Sequence, residues 1–439
     1  MRHFNPLLVL LLLAVIALAA CTPGEPTPGA PAPTTAVTPE APTPEQPTPT
    51  TEPPPTDTPE PAEPTATAEA ETPEPTATTE PAAPTTFCPE IARPALILFL
   101  PSDQLLLFDP ASGATCPLPV PGRYAGMVEL TPGAFFSPAP SATAGGDALV
   151  IQRYLPDGTV EDLPYTLLEG AAAASYTGFT VSGDARLIAW GSIGPSEDGG
   201  MSATRLSIAS LETGEVTATV TPEATVESRG LMPIRFDPET DTLYYALQPY
   251  GVGGSWIGFV GRYDNLYAIA ADGSGEPELI FDCADKGLFL CLGDFFVTGG
   301  AVTGLAYVDQ EAGTLFVENG AGEALNTLQG TEDYIGYPTW GPVGELVYYT
   351  ATLAEMTDGP PAAELGNLQR VAPPTAPAET IVSDPALALP IEFLDDTRVV
   401  VNWVTEAETG LWGLALAGVE GSVELLDVPS GASVAGIVR

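Results

Sequence analysis

The chain reads as an all-β domain closed into a ring of similar antiparallel sheets, and three observations predict it. One short apolar strand recurs along the chain, glycine-closed hairpins follow several copies of it, and the last strand has no partner nearby in sequence. The copies are Leu96-Ile97-Leu98-Phe99, Leu149-Val150-Ile151, Leu187-Ile188-Ala189-Trp190, Leu243-Tyr244-Tyr245-Ala246, Leu305-Ala306-Tyr307-Val308, Leu346-Val347-Tyr348-Tyr349 and Val399-Val400-Val401. Their mean period is about 50 residues, at the long end of the range for propeller blades. No convincing amphipathic helix interrupts them. Each unit is expected to be a four-stranded antiparallel meander, and the whole a seven-bladed β-propeller, with six or eight blades as the range.

Three segments are expected in order: a signal at 1–20, a lipid-carrying Cys21 with a linker to residue 86, and the propeller over 87–439. The first begins with Arg2, continues through about fourteen apolar residues and ends on small ones, which is a secretory signal too short to span a bilayer. At Leu18-Ala19-Ala20-Cys21 it resembles the bacterial lipoprotein signal. The resemblance implies that Cys21 takes a diacylglycerol, becomes the mature N-terminus and holds the chain on the membrane, since each buried methylene contributes about 0.8 kcal/mol. An ordinary cleaved signal with a chance cysteine is the alternative. The next residue, Thr22, is not the aspartate that retains such proteins at the inner membrane of two-membrane bacteria.

From Thr22 to Thr86 the chain is almost wholly Pro, Thr, Ala and Glu, with eleven acidic residues and no basic one. Such a segment cannot bury a core and is expected to be a disordered, polyproline-biased tether, open to O-glycosylation on threonine. Fully extended it would reach on the order of 200 Å, and as a flexible coil about 45 Å. Either reach carries a domain clear of a membrane.

Composition closes off much chemistry. The whole chain has formal charge −44, and removing the signal leaves twelve cationic side chains against 57 carboxylates. That field repels nucleic acid and anionic lipid, so neither is an expected partner. His3 is the single histidine and leaves with the signal, which removes histidine-served nucleophiles, histidine metal sites and imidazole proton shuttles. No Gly-x-Ser-x-Gly elbow occurs. Carboxylate-only chemistry, such as a glycosidase pair, and calcium on oxygen ligands stay open. No other cofactor is expected.

Four further cysteines, Cys88, Cys116, Cys283 and Cys291, would lie in an oxidising compartment and are expected to form two disulfides. Of the three pairings, proximity in sequence favours Cys88 with Cys116 and Cys283 with Cys291. Without histidine or a Cys-x-x-Cys pair, zinc is disfavoured.

Within the repeats, polar turns precede the apolar strand at Ser182-Gly183-Asp184, Phe236-Asp237-Pro238-Glu239 and Trp340-Gly341-Pro342. Tight hairpins close later at Gly113, Gly214, Asp272-Gly273 and Asn319-Gly320, where glycine supplies the positive φ that short hairpins demand. The runs Asn265-Leu266-Tyr267-Ala268-Ile269-Ala270-Ala271-Asp272-Gly273 and Ser182-Gly183-Asp184-Ala185-Arg186-Leu187-Ile188-Ala189-Trp190 resemble the WD40-like repeats of TolB-type β-propellers. Leu96–Leu100 lacks a preceding partner, so Ser433-Val434-Ala435-Gly436-Ile437-Val438 is expected to return as the innermost strand of the first blade, leaving no open edge.

Loop length assigns a working face. The third-to-fourth hairpins are short, whereas the second-to-third connections are expected to swell over 191–204, 247–264 and 352–366, and long loops on a rigid scaffold collect binding residues. The run 250–263 holds Tyr250, Trp256, Arg262 and Tyr263 among glycines, and these four are the candidates for a protein or glycan contact patch. Packing of the same aromatics beneath the loop, or their forming an extra hairpin, is the competing reading. The acidic runs at Asp237–Asp241 and Asp395-Asp396 read as turn chemistry in preference to calcium ligands. Glu197, Asp198 and Glu355 are the carboxylates to screen for glycosidase or lyase activity. Trp190, Trp340 and Trp403 are expected between blades.

The expected function is a non-enzymatic binding module, anchored outside the cytoplasm in the cell envelope and monomeric, for an envelope protein or glycan. A carboxylate-dependent glycan hydrolase or lyase is the first alternative, and a scaffold in an envelope complex, by analogy with TolB-like proteins, the second.

Overall fold

The recurring strands are apolar on both faces because both faces are covered. Leu96, Leu98, Leu243, Tyr245, Leu346, Val347, Val399 and Val400 are all essentially inaccessible to solvent, as happens only where a sheet is packed between two neighbours. The computed structural model describes residues 87–121, 129–131, 133–140, 149–168, 175–195, 201–221, 230–247, 262–330, 334–353, 363–384, 388–406, 411–429 and 431–438. They form seven four-stranded antiparallel sheets arranged as a ring, a seven-bladed β-propeller with a single short 3-10 turn at Ala284–Lys286. None of the described helical residues makes a helix long and apolar enough to cross a membrane.

Blade 1 contains Ala95–Leu100 (β1), Gln104–Phe108 (β2) and Thr115–Pro121 (β3). Blade 2 has Glu129–Thr131 (β4), Ala134–Pro140 (β5), Leu149–Tyr154 (β6) and Val160–Leu168 (β7), and blade 3 has Ser175–Val181 (β8), Leu187–Pro195 (β9), Met201–Ser210 (β10) and Val216–Val220 (β11). Blade 4 is Leu231–Phe236 (β12), Thr242–Leu247 (β13), Asn265–Ala270 (β14) and Glu278–Asp282 (β15). Blade 5 follows with Leu292–Thr298 (β16), Ala301–Asp309 (β17), Thr314–Glu318 (β18) and Ala324–Gln329 (β19). Blade 6 is Tyr334–Trp340 (β20), Leu346–Leu353 (β21), Ala363–Val371 (β22) and Glu379–Asp384 (β23), and blade 7 is Ala388–Phe393 (β24), Arg398–Glu406 (β25), Leu411–Gly418 (β26) and Val423–Leu425 (β27). Ser433–Val438 (β28) then returns to blade 1.

That return closes the ring as expected. β28 lies antiparallel to β1, with Ala95 opposite Val438 and Leu96 opposite Ile437, giving the order β28-β1-β2-β3. The terminus thus covers the edge that β1 would otherwise expose. Cys88 is bonded to Cys116 on β3, and Cys283 to Cys291 in the link between blades 4 and 5, so both disulfides follow the favoured pairing.

Two local expectations are corrected. In blade 2 the second strand is β5, and the Leu149 copy is the third. Pro138, Pro140 and Ser137 disguise β5 in the sequence, yet Phe135, Phe136 and Ser137 are fully buried and Pro138 pairs with Ile151. Much of the expected loop 191–204 is ladder, since β9 and β10 stay paired from Leu187 opposite Ser210 out to Pro195 opposite Met201. A Cβ on Gly191 would run into the Leu231 carbonyl and the Thr177 hydroxyl.

Aromatic residues fill the seams between blades. Trp190 on β9 tilts onto Tyr165 of β7 at 5.1 Å, and Trp340 on β20 stacks on Phe296 of β16 at 5.7 Å. Trp403 is buried in the cluster that runs through blades 5, 6 and 7. All three tryptophans are therefore seam residues, as expected. Polar ties cross the seams as well: Asp294 accepts from the Trp340 amide at 2.8 Å, and Arg186 donates to both oxygens of Asp241 at 3.0 Å.

Candidate functional site

The segment that carries Arg262 is held from three sides before it becomes β14. The amides of Arg262 and Tyr263 donate to the Leu292 carbonyl at 2.7 and 2.9 Å, and Leu292 donates back to Tyr263 at 3.0 Å. Leu292 opens β16, the innermost strand of blade 5, and follows Cys291 of the second disulfide. The Cys283 amide donates to the Asp264 carbonyl at 2.8 Å, and the Asp264 carboxylate accepts from Leu290. A short cross-linked loop and an inner strand thereby fix the base of the arginine side chain.

From that base Arg262 reaches toward the axis. Its Nη2 donates to the Ile391 carbonyl of β24 at 3.1 Å, linking blade 4 to the inner strand of blade 7. Beside it lies a cavity of 630 Å³, walled by Tyr337 of β20, Pro390 and Ile391 of β24, Asn402 of β25 and Ser433 of β28. The size suits a small ligand. Inner strands of three blades meet there, so the cavity is the mouth of the propeller axis. Burial pushes the Tyr337 phenol above its ordinary range, while the nearby Tyr334 hydroxyl and the Arg262 charge pull in the opposite direction. Among the described lining residues Arg262 is the one charged group, and no carboxylate is present.

Tyr263 takes a packing position. It is partly buried against the cluster of blades 4 and 5 that includes Phe281, Cys283, Phe295 and Tyr307, and burial raises its phenol. Tyr250 and Trp256 lie outside the described residues, as do Cys21, Glu197, Asp198 and Glu355. Of the four contact candidates, the described ones separate: Arg262 lines the cavity and Tyr263 packs against the cluster of blades 4 and 5. The cavity walls were not singled out from sequence. Tyr337, Asn402 and Ser433 are scattered over nearly a hundred positions of ordinary strand sequence, and only the convergence of inner strands brings them together.

The acidic runs are turns. Asp237 accepts from the Glu239 amide at 3.0 Å and the Thr240 hydroxyl at 2.8 Å, and Asp395 accepts from the Thr397 amide at 2.9 Å and from Arg398 Nε at 2.7 Å. Asp237 and Asp395 are thus used locally to satisfy donors of their own turns, while Asp241 accepts from Arg186 of the neighbouring blade. One described trio, Cys88, Glu90 and Cys116, has metal-like proximity, but its two sulfurs are joined to each other.

The sequence matches no protein-family model and no curated protein. Solved structures resemble it in fold. The β-propeller domain of the Trilobed protease from Pyrococcus furiosus, described as having an open velcro topology, is 12% identical over 77% of this chain and 97% of that one, with a TM-score of 0.44. An oligogalacturonate lyase from Vibrio parahaemolyticus is 15% identical, covering 73% and 83% of the two chains, also at 0.44. An acylaminoacyl peptidase from Pyrococcus horikoshii is 12% identical at 0.43, and this chain spans 48% of its length. The class defined by the seven-sheet topology is a β-propeller, closed here by β28 pairing with β1.

Proposed function

We propose that this protein is a binding module of the bacterial cell envelope, held on a membrane through lipidated Cys21 and presenting the mouth of its propeller axis to an envelope protein or glycan. The observation that carries the reading is the axial cavity beside Arg262, whose backbone is held by Leu292 of blade 5 while its guanidinium donates to the Ile391 carbonyl of blade 7 and faces a wall of apolar and uncharged polar groups. Such a wall offers shape and one fixed charge, which suits recognition. A carboxylate-dependent hydrolase would need a pair of acids flanking the scissile bond, and the described lining supplies none. The linker from Thr22 to Thr86 fits display at a distance from the lipid.

Fractionation of cells making the full chain, alongside Cys21→Ser, tests placement and activity together. The parent chain should sediment with membranes and incorporate labelled fatty acid, and the variant should do neither. The solubilised parent, mixed with isolated wall glycan, should release no reducing sugar. Equal fractionation of the two chains would overturn the anchor, and sugar release that is lost on replacing Glu197 or Glu355 would favour the hydrolase.

A further inference from the structure

Cations are scarce in this chain, and most of those with described side chains are neutralised. Arg153 pairs with Glu161, Arg186 with Asp184 and Asp241, Lys286 with Glu318, Arg370 with Glu379 and Arg398 with Asp395. Arg262 differs. Among the described residues the only hydrogen bond of its side chain goes to a neutral carbonyl, and it stands exposed at the edge of the axial cavity. A guanidinium carries five N–H donors in a planar fork, so among the described residues the one bond to Ile391 leaves donors for a bidentate anion.

We propose that the axial cavity is a recognition site for a monocarboxylate with an apolar body, its carboxylate on the Arg262 fork and its body against Pro390 and Ile391. The inference deepens the binding-module reading and rests on it. Three features select this chemistry. A single fixed cation matches a single negative charge. The field of a chain with net charge −44 penalises phosphates and polyanions far more than one carboxylate. The cavity wall is mainly apolar, with the Asn402 amide and Ser433 hydroxyl placed to meet one or two polar groups beyond the carboxylate. Both a free organic acid and the C-terminus of an apolar peptide have this chemistry.

Titration calorimetry on the intact mature chain distinguishes them. The probes are acetyl-Leu-Leu-Val with a free C-terminus, the same peptide as its C-terminal amide, and 4-phenylbutyrate as the free acid. The free-acid peptide should bind at least tenfold more tightly than its amide, and Arg262→Gln should remove that difference, while Arg205→Gln on the exposed side of β10 should leave it intact. Comparable affinity for 4-phenylbutyrate would assign a small acid as ligand, and much weaker affinity a peptide terminus. Should Arg262→Gln melt several degrees lower, the acid-versus-amide comparison on the parent chain still decides. Equal affinities for acid and amide, or no binding by any probe, would overturn the proposal. If axial positions nonetheless contact an envelope component in cells, the binding-module reading would stand without it.

Discussion

Glu345 shows how one residue can be kept against its own electrostatics. Its side chain is 2% exposed, and no hydrogen bond of ordinary geometry reaches either carboxylate oxygen. Burial therefore raises its pKa, opposed only in part by the Glu345 and Val343 amides and the more distant Arg370. Because the native value lies above 4.5, the residue's contribution to stability is complete below that pH and is lost as pH rises through the native pKa. Glu345→Gln should melt above the parent at pH 8, by the equivalent of roughly 1 kcal/mol, with the margin shrinking toward pH 4.5. Thermal melts across that range check it, and a constant difference would contradict it. Nothing in the surrounding sequence flags Glu345, since Gly341-Pro342-Val343-Gly344 reads as an ordinary turn and burial is decided by the neighbouring blades. Arg262, by contrast, was legible as a rare cation among aromatics and glycines. What could not be read was its reach to Ile391, 129 positions away.

At the scale of elements, strands with a regular apolar pattern were legible and those bent to fit a seam were not. β13 and β21 declare themselves through Leu-Tyr-Tyr and Val-Tyr-Tyr, whereas β5 hides two prolines inside a buried strand, which propensity alone argues against. On one side β4 pairs only with Ala134–Phe136, so Pro138 and Pro140 lie beyond that ladder, where a missing amide costs no bond to β4. The closing strand β28 was legible for a different reason: β1 had no partner before it, and one unpaired segment remained at the other end. Ending the chain after Ala432 should uncover the β1 edge. Hydrogen exchange should then accelerate at Ile97 and Phe99 and at their neighbours in β2, with a lower melting temperature. Unchanged protection in β1 would show that closure contributes little. The Cys88–Cys116 bond should help hold the same blade, since closing a loop of 28 residues is worth about 3.5 kcal/mol in the chain-entropy picture.

For the whole molecule, the repeat count and ring closure follow from hydrophobic period and the unpaired first and last strands, because a propeller repeats the same burial problem in every blade, while the disulfide pairing follows from proximity in sequence. A site at the axis has no such period. It is assembled from single residues of several inner strands, so its position is legible as a face and its chemistry only in three dimensions. In an acidic chain, an arginine without an ion pair among the described residues stands at the axial mouth, and the proposed binding face is that mouth. The most direct test places a photo-crosslinking residue at Asn402 in the axial wall or at Leu279 on the exposed outer strand of blade 4, in cells making the full chain. Envelope adducts should form from position 402 and not from 279. Adducts from position 279 alone, or equally from both, would contradict the axial mouth as the binding face.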